Sequence, residues 1–286
     1  MLVGLAIMIG SEAATLAGIE PFASWNTPIC WTGFILFADA VVYRARGNSW
    51  IRSSPREFAA LALASIPLWV VFEGYNLVIR NWMYVGLPEN TALRLFGYAW
   101  SFATISPAIF EGAELVAMAR AGGAGKAGGH ARGSTSSPRA ITARPEPVEG
   151  RALLWLVVGA AMLVAPFVAP SAIAPYLAAP VFLGFIFLLD PINRRLGEET
   201  VTRDRAINLL LSGLLCGVLW EFWNYWSRAK WIYTVPIMQQ WKVFEMPLPG
   251  YLGFAPFAVE CFTMYVFVRA LYAALSSRVG GRTIAL

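Results

Sequence analysis

Apolar residues gather into runs along the chain at about residues 2–19, 28–43, 57–79, 98–119, 151–169, 174–190, 206–227 and 251–275. Short segments carrying most of the arginine, proline and polar residues separate them. A helix needs about 20 residues, at 1.5 Å each, to cross a bilayer core of about 30 Å. The pattern therefore predicts an all-α polytopic membrane protein of about eight transmembrane helices. The first run has no basic leader and carries Glu12 at its middle, so it is expected to be a span and not a signal peptide.

The segments between the runs differ sharply in charge. Arg44, Arg46, Arg52 and Arg56 follow the second run, and Arg120, Lys126, Arg132, Arg139, Arg144 and Arg151 follow the fourth. Arg194, Arg195, Arg203 and Arg205 follow the sixth, and Arg269, Arg278 and Arg282 lie at the C-terminal end. Together these are 17 of the 22 basic residues. Only Arg80, Arg94, Arg228, Lys230 and Lys242 fall in the alternate segments. Basic loops stay on the cytoplasmic side, so both termini are expected inside. The expected location is a bacterial cytoplasmic membrane.

The two halves share a polar and aromatic pattern. Glu73, Asn76, Arg80, Trp82 and Tyr84 recur as Glu221, Asn224, Arg228, Trp231 and Tyr233. Further on, Pro107 and Glu111 recur as Pro256 and Glu260, and upstream Asp39 and Arg44 recur as Asp190 and Arg195. A near-constant offset of about 150 residues reads as a tandem duplication of four helices. An even number of helices makes the two repeats parallel, related by an axis along the membrane normal. The expected division is a first repeat over 1–120, a flexible cytoplasmic linker over 121–150 and a second repeat over 151–286. The Gly/Ser/Pro composition of that linker favours a mobile tether. Its end, STSSPRAITARPEPVEG, resembles translated dispersed repeats of some bacterial genomes, which implies insertion.

Composition narrows the chemistry. The chain is 58% hydrophobic and 14% charged, against about 25% charged in soluble domains. Disordered, nucleic-acid-binding and ordinary soluble-enzyme classes are thereby excluded. The single histidine, His130, falls in the linker, which leaves no membrane-embedded triad, haem ligand or histidine metal cluster. Lys126, Lys230 and Lys242 lie outside the apolar runs, so a buried Schiff base is not expected. Cys30, Cys216 and Cys261 stand singly, without metal spacing, and read as packing residues. No phosphate-binding glycine loop is present. No metal and no cofactor is expected, and the expected partner is a membrane lipid or another lipid-soluble small molecule.

Carboxylates inside apolar runs are costly and mark function by default. At 1.5 Å per residue Glu73 lies about 10 Å below Arg80, and Glu111 about 20 Å below the start of its helix. Pro107, one turn before Glu111, frees a backbone carbonyl close to it. Glu111 and Glu260 are therefore expected to line a central cavity as proton donors, with Glu73 and Glu221 nearer its outer mouth. A structural role, holding helices together through Asn76, Asn224 or freed carbonyls, is the alternative. Arg80 and Arg228 could reach the glutamates only by snorkelling inward. Trp82, Tyr84, Trp231 and Tyr233 read either as an interfacial aromatic belt or as a pocket wall that stabilises a cationic intermediate. Asp39 and Asp190, beside arginines, read as interfacial ion pairs. The proline-rich outer segments are expected to cap the cavity.

The order W-x-Y, proline, glutamate within a duplicated unit, at Trp82–Glu111 and Trp231–Glu260, resembles the membrane-embedded lycopene cyclase domain. The resemblance implies paired helical repeats and carboxylates that protonate a polyene. Glu111 is followed by Gly112 where that family has a second acidic residue. Three functions stay open: an acid-catalysing enzyme, of isomerase or cyclase type, on an isoprenoid-like or carotenoid-like lipid; a proton-coupled transporter or lipid carrier; and a structural subunit of a membrane complex. Asn76, Asn224, Trp82, Tyr84, Trp231, Tyr233, Arg80 and Arg228 would contact substrate in the first.

Overall fold

In the computed structural model, which describes residues 1–127 and 149–280, the chain is 78% helical. Helices occupy every apolar run. They are α1 (Leu2–Leu16), α2 (Phe22–Arg46), the single turn α3 (Trp50–Ser53), α4 (Pro55–Ile79), α5 (Thr91–Ala127), α6 (Glu149–Val168), α7 (Ala178–Arg195), α8 (Arg203–Trp226) and α9 (Tyr251–Gly280). Six of them, α2, α4, α5, α6, α8 and α9, are long and apolar enough to cross a membrane. The other two long helices fall short for a physical reason. The 15 residues of α1 span about 22 Å. The 18 residues of α7 end in Asp190, Arg194 and Arg195, which leaves an apolar stretch well short of the ~30 Å core. Six apolar spans are consistent with an integral membrane protein. Of the expected linker, residues 121–127 continue α5 and α6 begins at Glu149; the remainder, His130 included, lies outside the described residues.

Packing follows the same plan in both halves. Helix α1 lies on α2, and α6 lies on α7. Each pair is brought close by glycine. A side chain at Gly4 would strike the backbone of Gly33 and Phe37, and one at Gly159 would strike Gly184 and Leu188. Small residues of this kind let membrane helices approach backbone to backbone. Helix α2 also packs on α5, and α7 on α9; α4 packs on α5, and α8 on α9. Contacts of α5 with α8 and of α4 with α9 join the halves.

The outer segments depart from an all-α expectation. Trp82–Val85 (β1) and Lys230–Tyr233 (β2) form a two-stranded antiparallel ribbon, with Trp82 opposite Tyr233 and Tyr84 opposite Trp231. The reason is legible in the residues: Trp-Met-Tyr-Val and Lys-Trp-Ile-Tyr are rich in aromatic and β-branched side chains, and their aromatics alternate. A second short pair, β3 (Lys242–Val243) with β4 (Met246–Pro247), follows. The ribbon ties the halves across the end of the bundle where α4 and α8 finish.

Charge is segregated along the helix axes. Where α2, α5 and α9 end and α4 and α8 begin, Arg46 pairs with Glu114, Arg120 with Asp204 at 3.2 Å and Arg205 with Glu199. Arg269 reaches Glu198 at 2.9 Å and Glu57 at 3.7 Å. At the ribbon end, Arg228 meets Glu20 at 2.5 Å and Lys230 meets Glu245 at 2.6 Å. Asp39 accepts from the backbone N–H of Ile51 at 2.8 Å and lies 3.7 Å from Arg52, not beside Arg44. Asp190 accepts from the backbone N–H of Val201 at 2.9 Å. It has no ion pair among the described residues, so its role is to fasten a loop to a helix end.

Candidate functional site

The ends of α4 and α8 set up the site by the same local device. Asn76 donates to the carbonyl of Trp82 at 2.8 Å and accepts from the backbone N–H of Asn81 at 2.8 Å and of Trp82 at 3.2 Å. Asn224 donates to the carbonyl of Trp231 at 2.8 Å and accepts from its N–H at 3.0 Å. Each asparagine thus turns the chain back over its helix, and the strand that follows lays its aromatics over the glutamate one turn below. Both asparagines act as structural pivots, and neither is among the residues that line the cavity described below.

The two glutamates next to them differ in their partners. Glu73 Oε1 accepts from Tyr84 Oη at 2.5 Å, Trp69 Nε1 at 2.7 Å and Trp82 Nε1 at 3.2 Å. Glu221 Oε1 accepts from Tyr233 Oη at 2.9 Å, and that hydroxyl in turn accepts from Trp231 Nε1 at 2.9 Å. Glu221 Oε2 is buried without a hydrogen-bond partner among the described residues. Burial, followed by the adjacent carboxylate, pushes both phenols, Tyr84 and Tyr233, well above the ordinary tyrosine range. Both remain O–H donors over the physiological pH range.

Behind this layer lies a cavity of about 470 Å³. Trp82, Tyr84, Trp231 and Tyr233 form part of its wall. Much of the rest is aromatic as well: Trp25 and Trp31 on α2, Trp69 on α4, Phe182 on α7, Trp220 on α8 and Phe257 on α9. Several of these rings touch, with Trp69 5.9 Å from both Trp82 and Trp220 and 5.8 Å from Phe257. Pro88, Ile237, Pro249 and Met246 of β4, from the segments between the long helices, also line it.

Glu111 and Glu260 do not line this cavity. The innermost lining residues of α5 and α9 are Ile105 and Phe257, and the two glutamates lie one to two turns further in. Both are fully buried between helices. Glu260 Oε1 accepts from the backbone N–H of Phe185 at 3.1 Å, and its Oε2 has no partner among the described residues. Glu111 meets the carboxyl group of Asp39, and no carbonyl freed by Pro107 reaches it. Arg80 and Arg228 are likewise elsewhere. Arg80 is exposed in a left-handed conformation (φ 52°) that ends α4, and Arg228 is held at the surface by Glu20. The basic side chains on the cavity wall are Arg94 and Lys230.

Carboxylate positions carry no sign of the walls formed by α2 and by α7 with the residues just before it. Ser24, Trp25, Thr27, Pro28 and Trp31 line one side, and Pro175, Tyr176, Ala178, Ala179 and Phe182 line the other. The two sets lie 151 residues apart, position for position, close to the offset between the two halves of the sequence pattern. A polar group at the α1–α2 seam was also missed: Asn26 donates to Glu12 at 2.9 Å and accepts from Ser11 Oγ at 2.8 Å. It also donates to the carbonyl of Trp223 at 3.2 Å, which ties α2 to α8.

No protein-family description matches the chain, and neither a curated protein nor a solved structure matches it. The lycopene cyclase resemblance therefore rests on the residues quoted for it.

Proposed function

We propose that the chain is an integral membrane protein that takes a lipid-soluble, isoprenoid-like molecule into the aromatic cavity and acts on it by proton transfer. The carrying observation is the pair of carboxylate–phenol couples, Glu73–Tyr84 and Glu221–Tyr233, whose tyrosines stand in the cavity wall. In the forward step the couple takes up a proton on its carboxylate, the hydrogen bond seen here reverses, and the carboxyl group gives that proton to the tyrosine oxygen while the tyrosine O–H goes to a carbon of a substrate double bond. The carbocation left behind faces tryptophan rings, which stabilise positive charge. Loss of a neighbouring proton back to the couple completes an isomerisation or cyclisation without a co-reactant. Glu111 and Glu260, outside the cavity, are helix-packing groups in this reading.

The reading includes eight membrane-associated helices in two parallel repeats, with both termini in the cytoplasm of a bacterial cell. Support comes from the matched asparagine pivots, the matched glycine contacts of α1–α2 and α6–α7, and the near-symmetric ribbon register. The arginine-rich helix ends support the orientation.

A second reading, a proton-coupled carrier for such a lipid, is favoured by one feature: both halves present the same couple to one cavity. Symmetry of requirement separates the two. A carrier depends on both couples, whereas an enzyme can depend on one.

The test is expression in cells that make lycopene and related isoprenoids, beside the Tyr84→Phe/Tyr233→Phe double variant. Extracted lipids are separated by chromatography with absorbance detection, because an isomer has unchanged mass. A new product peak that the double variant loses is the expected result. A wild-type profile identical to that of empty cells would refute the enzymatic reading.

A further inference from the structure

Within the aromatic cavity three neutral hydrogen-bonding side chains stand out. Thr27, Trp31 and Asn81 all line it, and all are at least nine-tenths buried. Thr27 Oγ1, Trp31 Nε1 and both Asn81 side-chain atoms, Oδ1 and Nδ2, have no hydrogen-bond partner among the described residues. Buried polar atoms are nearly always paired, and one left unpaired destabilises the fold. Of the nine described residues with such an atom, Thr27, Trp31 and Asn81 are the three that line this cavity. They fit a site whose partner is the ligand.

The positions one repeat spacing further along are Ala178, Phe182 and Lys230. Two of these have no polar side-chain atom, and Lys230 is already held by Glu245 at 2.6 Å and the carbonyl of Tyr225 at 3.2 Å. The unpaired groups therefore all come from the first half of the chain, as expected of a feature added for a ligand and not inherited from a common packing plan. Their chemistry is specific. The indole N–H donates only, the hydroxyl does both, and the amide offers one donor group and one acceptor. None carries charge.

Building on the cavity reading above, we infer that its ligand is a neutral lipid-soluble molecule bearing hydroxyl or carbonyl oxygen, held by Thr27, Trp31 and Asn81. An unsubstituted hydrocarbon of the same skeleton leaves all three unpaired and binds more weakly. A hydrogen bond regained at each group is worth about tenfold in affinity.

The experiment uses the purified full chain in detergent micelles, with equilibrium binding of radiolabelled geranylgeraniol, of squalene and of geranylgeranyl phosphate. It includes the variants Thr27→Val and Asn81→Leu. The alcohol is expected to bind at least tenfold tighter than the hydrocarbon. Each variant is expected to weaken alcohol binding about tenfold and leave hydrocarbon binding unchanged. Thermal unfolding of the ligand-free protein is the second measurement. Because each variant deletes an unpaired buried group, its melting temperature should be equal to or above that of the wild type. Equal binding of alcohol and hydrocarbon would overturn this inference and leave the cavity as a lipid site. Binding of neither would overturn the cavity reading with it. Tightest binding of the phosphate, lost in Arg94→Gln, would replace the neutral ligand by an anionic one. A clear drop in melting temperature for both variants would assign Thr27 and Asn81 to packing.

Discussion

Replacing Glu73 by leucine should cost far more stability than the same change at Glu221, although the two occupy matched positions. The carboxylate of Glu73 gathers three donors, Tyr84 Oη at 2.5 Å, Trp69 Nε1 at 2.7 Å and Trp82 Nε1 at 3.2 Å. Leucine strands all three, and a stranded donor costs about 1–3 kcal/mol. Because Glu73 is only half-buried, water can recover part of that, so the expected loss is about 3–5 kcal/mol. At Glu221 one well-placed donor is stranded, Tyr233 Oη at 2.9 Å, the Trp231 indole and the Glu245 backbone N–H being less well placed, while a poorly paired buried oxygen is removed along with it. The two effects are similar in size and opposite in sign, and the expected net change is about 0–1 kcal/mol. Glu73→Gln, which keeps an acceptor in place, should lose only the charge assistance, about 1–2 kcal/mol. Detergent-micelle protein titrated with SDS and followed by far-UV circular dichroism reads these differences. A Glu221→Leu protein that is as unstable as Glu73→Leu would refute the reasoning, because it would mean that the matched positions carry matched loads.

Three further outcomes follow from the same structure. The folded-state pKa of Tyr84 and Tyr233 is raised by burial and a neighbouring carboxylate. The stability they contribute is therefore fully present below the unfolded value of about 10 and is lost as pH rises toward the folded one. Stability should fall by up to about 1.4 kcal/mol per pH unit per phenol above about pH 10, and Tyr84→Phe/Tyr233→Phe should flatten that fall in the same SDS titration. Gly4→Leu should separate α1 from α2 and destabilise by about 2 kcal/mol or more, since any side chain there meets the backbone of Gly33 and Phe37. Gly10→Leu, with open space around it, should be near neutral by thermal unfolding. Arg46→Gln breaks a part-exposed pair with Glu114 and should cost no more than about 1 kcal/mol, with the loss shrinking in high salt.

Helix positions were readable because apolar run length is a strong signal, and all eight runs are helical. Which helices can span was less so: α7 reads as apolar until Asp190, Arg194 and Arg195 are counted as part of the helix and not of the loop after it. The W-x-Y segments were noticed as repeated chemistry but not as strands, because four residues give too few alternations to tell a strand from an interfacial belt. For the cavity, the sequence singled out four aromatics of its wall, Trp82, Tyr84, Trp231 and Tyr233, and the glutamates Glu73 and Glu221 that bond to two of them. Glu111 and Glu260 are not among the residues that line it, since depth along a helix axis says nothing about where a cavity ends. Ile105 and Phe257 close it above both glutamates. Thr27, Trp31 and Asn81 carried no signal at all. Their distinction is the want of a partner, which only three-dimensional structure shows.

The central claim is that the aromatic cavity holds a lipid-soluble molecule. Native mass spectrometry of the protein purified in mild detergent tests it most directly, beside Ala178→Trp, which places an indole inside the cavity wall. The account predicts a discrete, non-phospholipid adduct on the wild-type protein that is absent from Ala178→Trp, with both proteins equally folded by circular dichroism. The same adduct at the same occupancy on both proteins would contradict it.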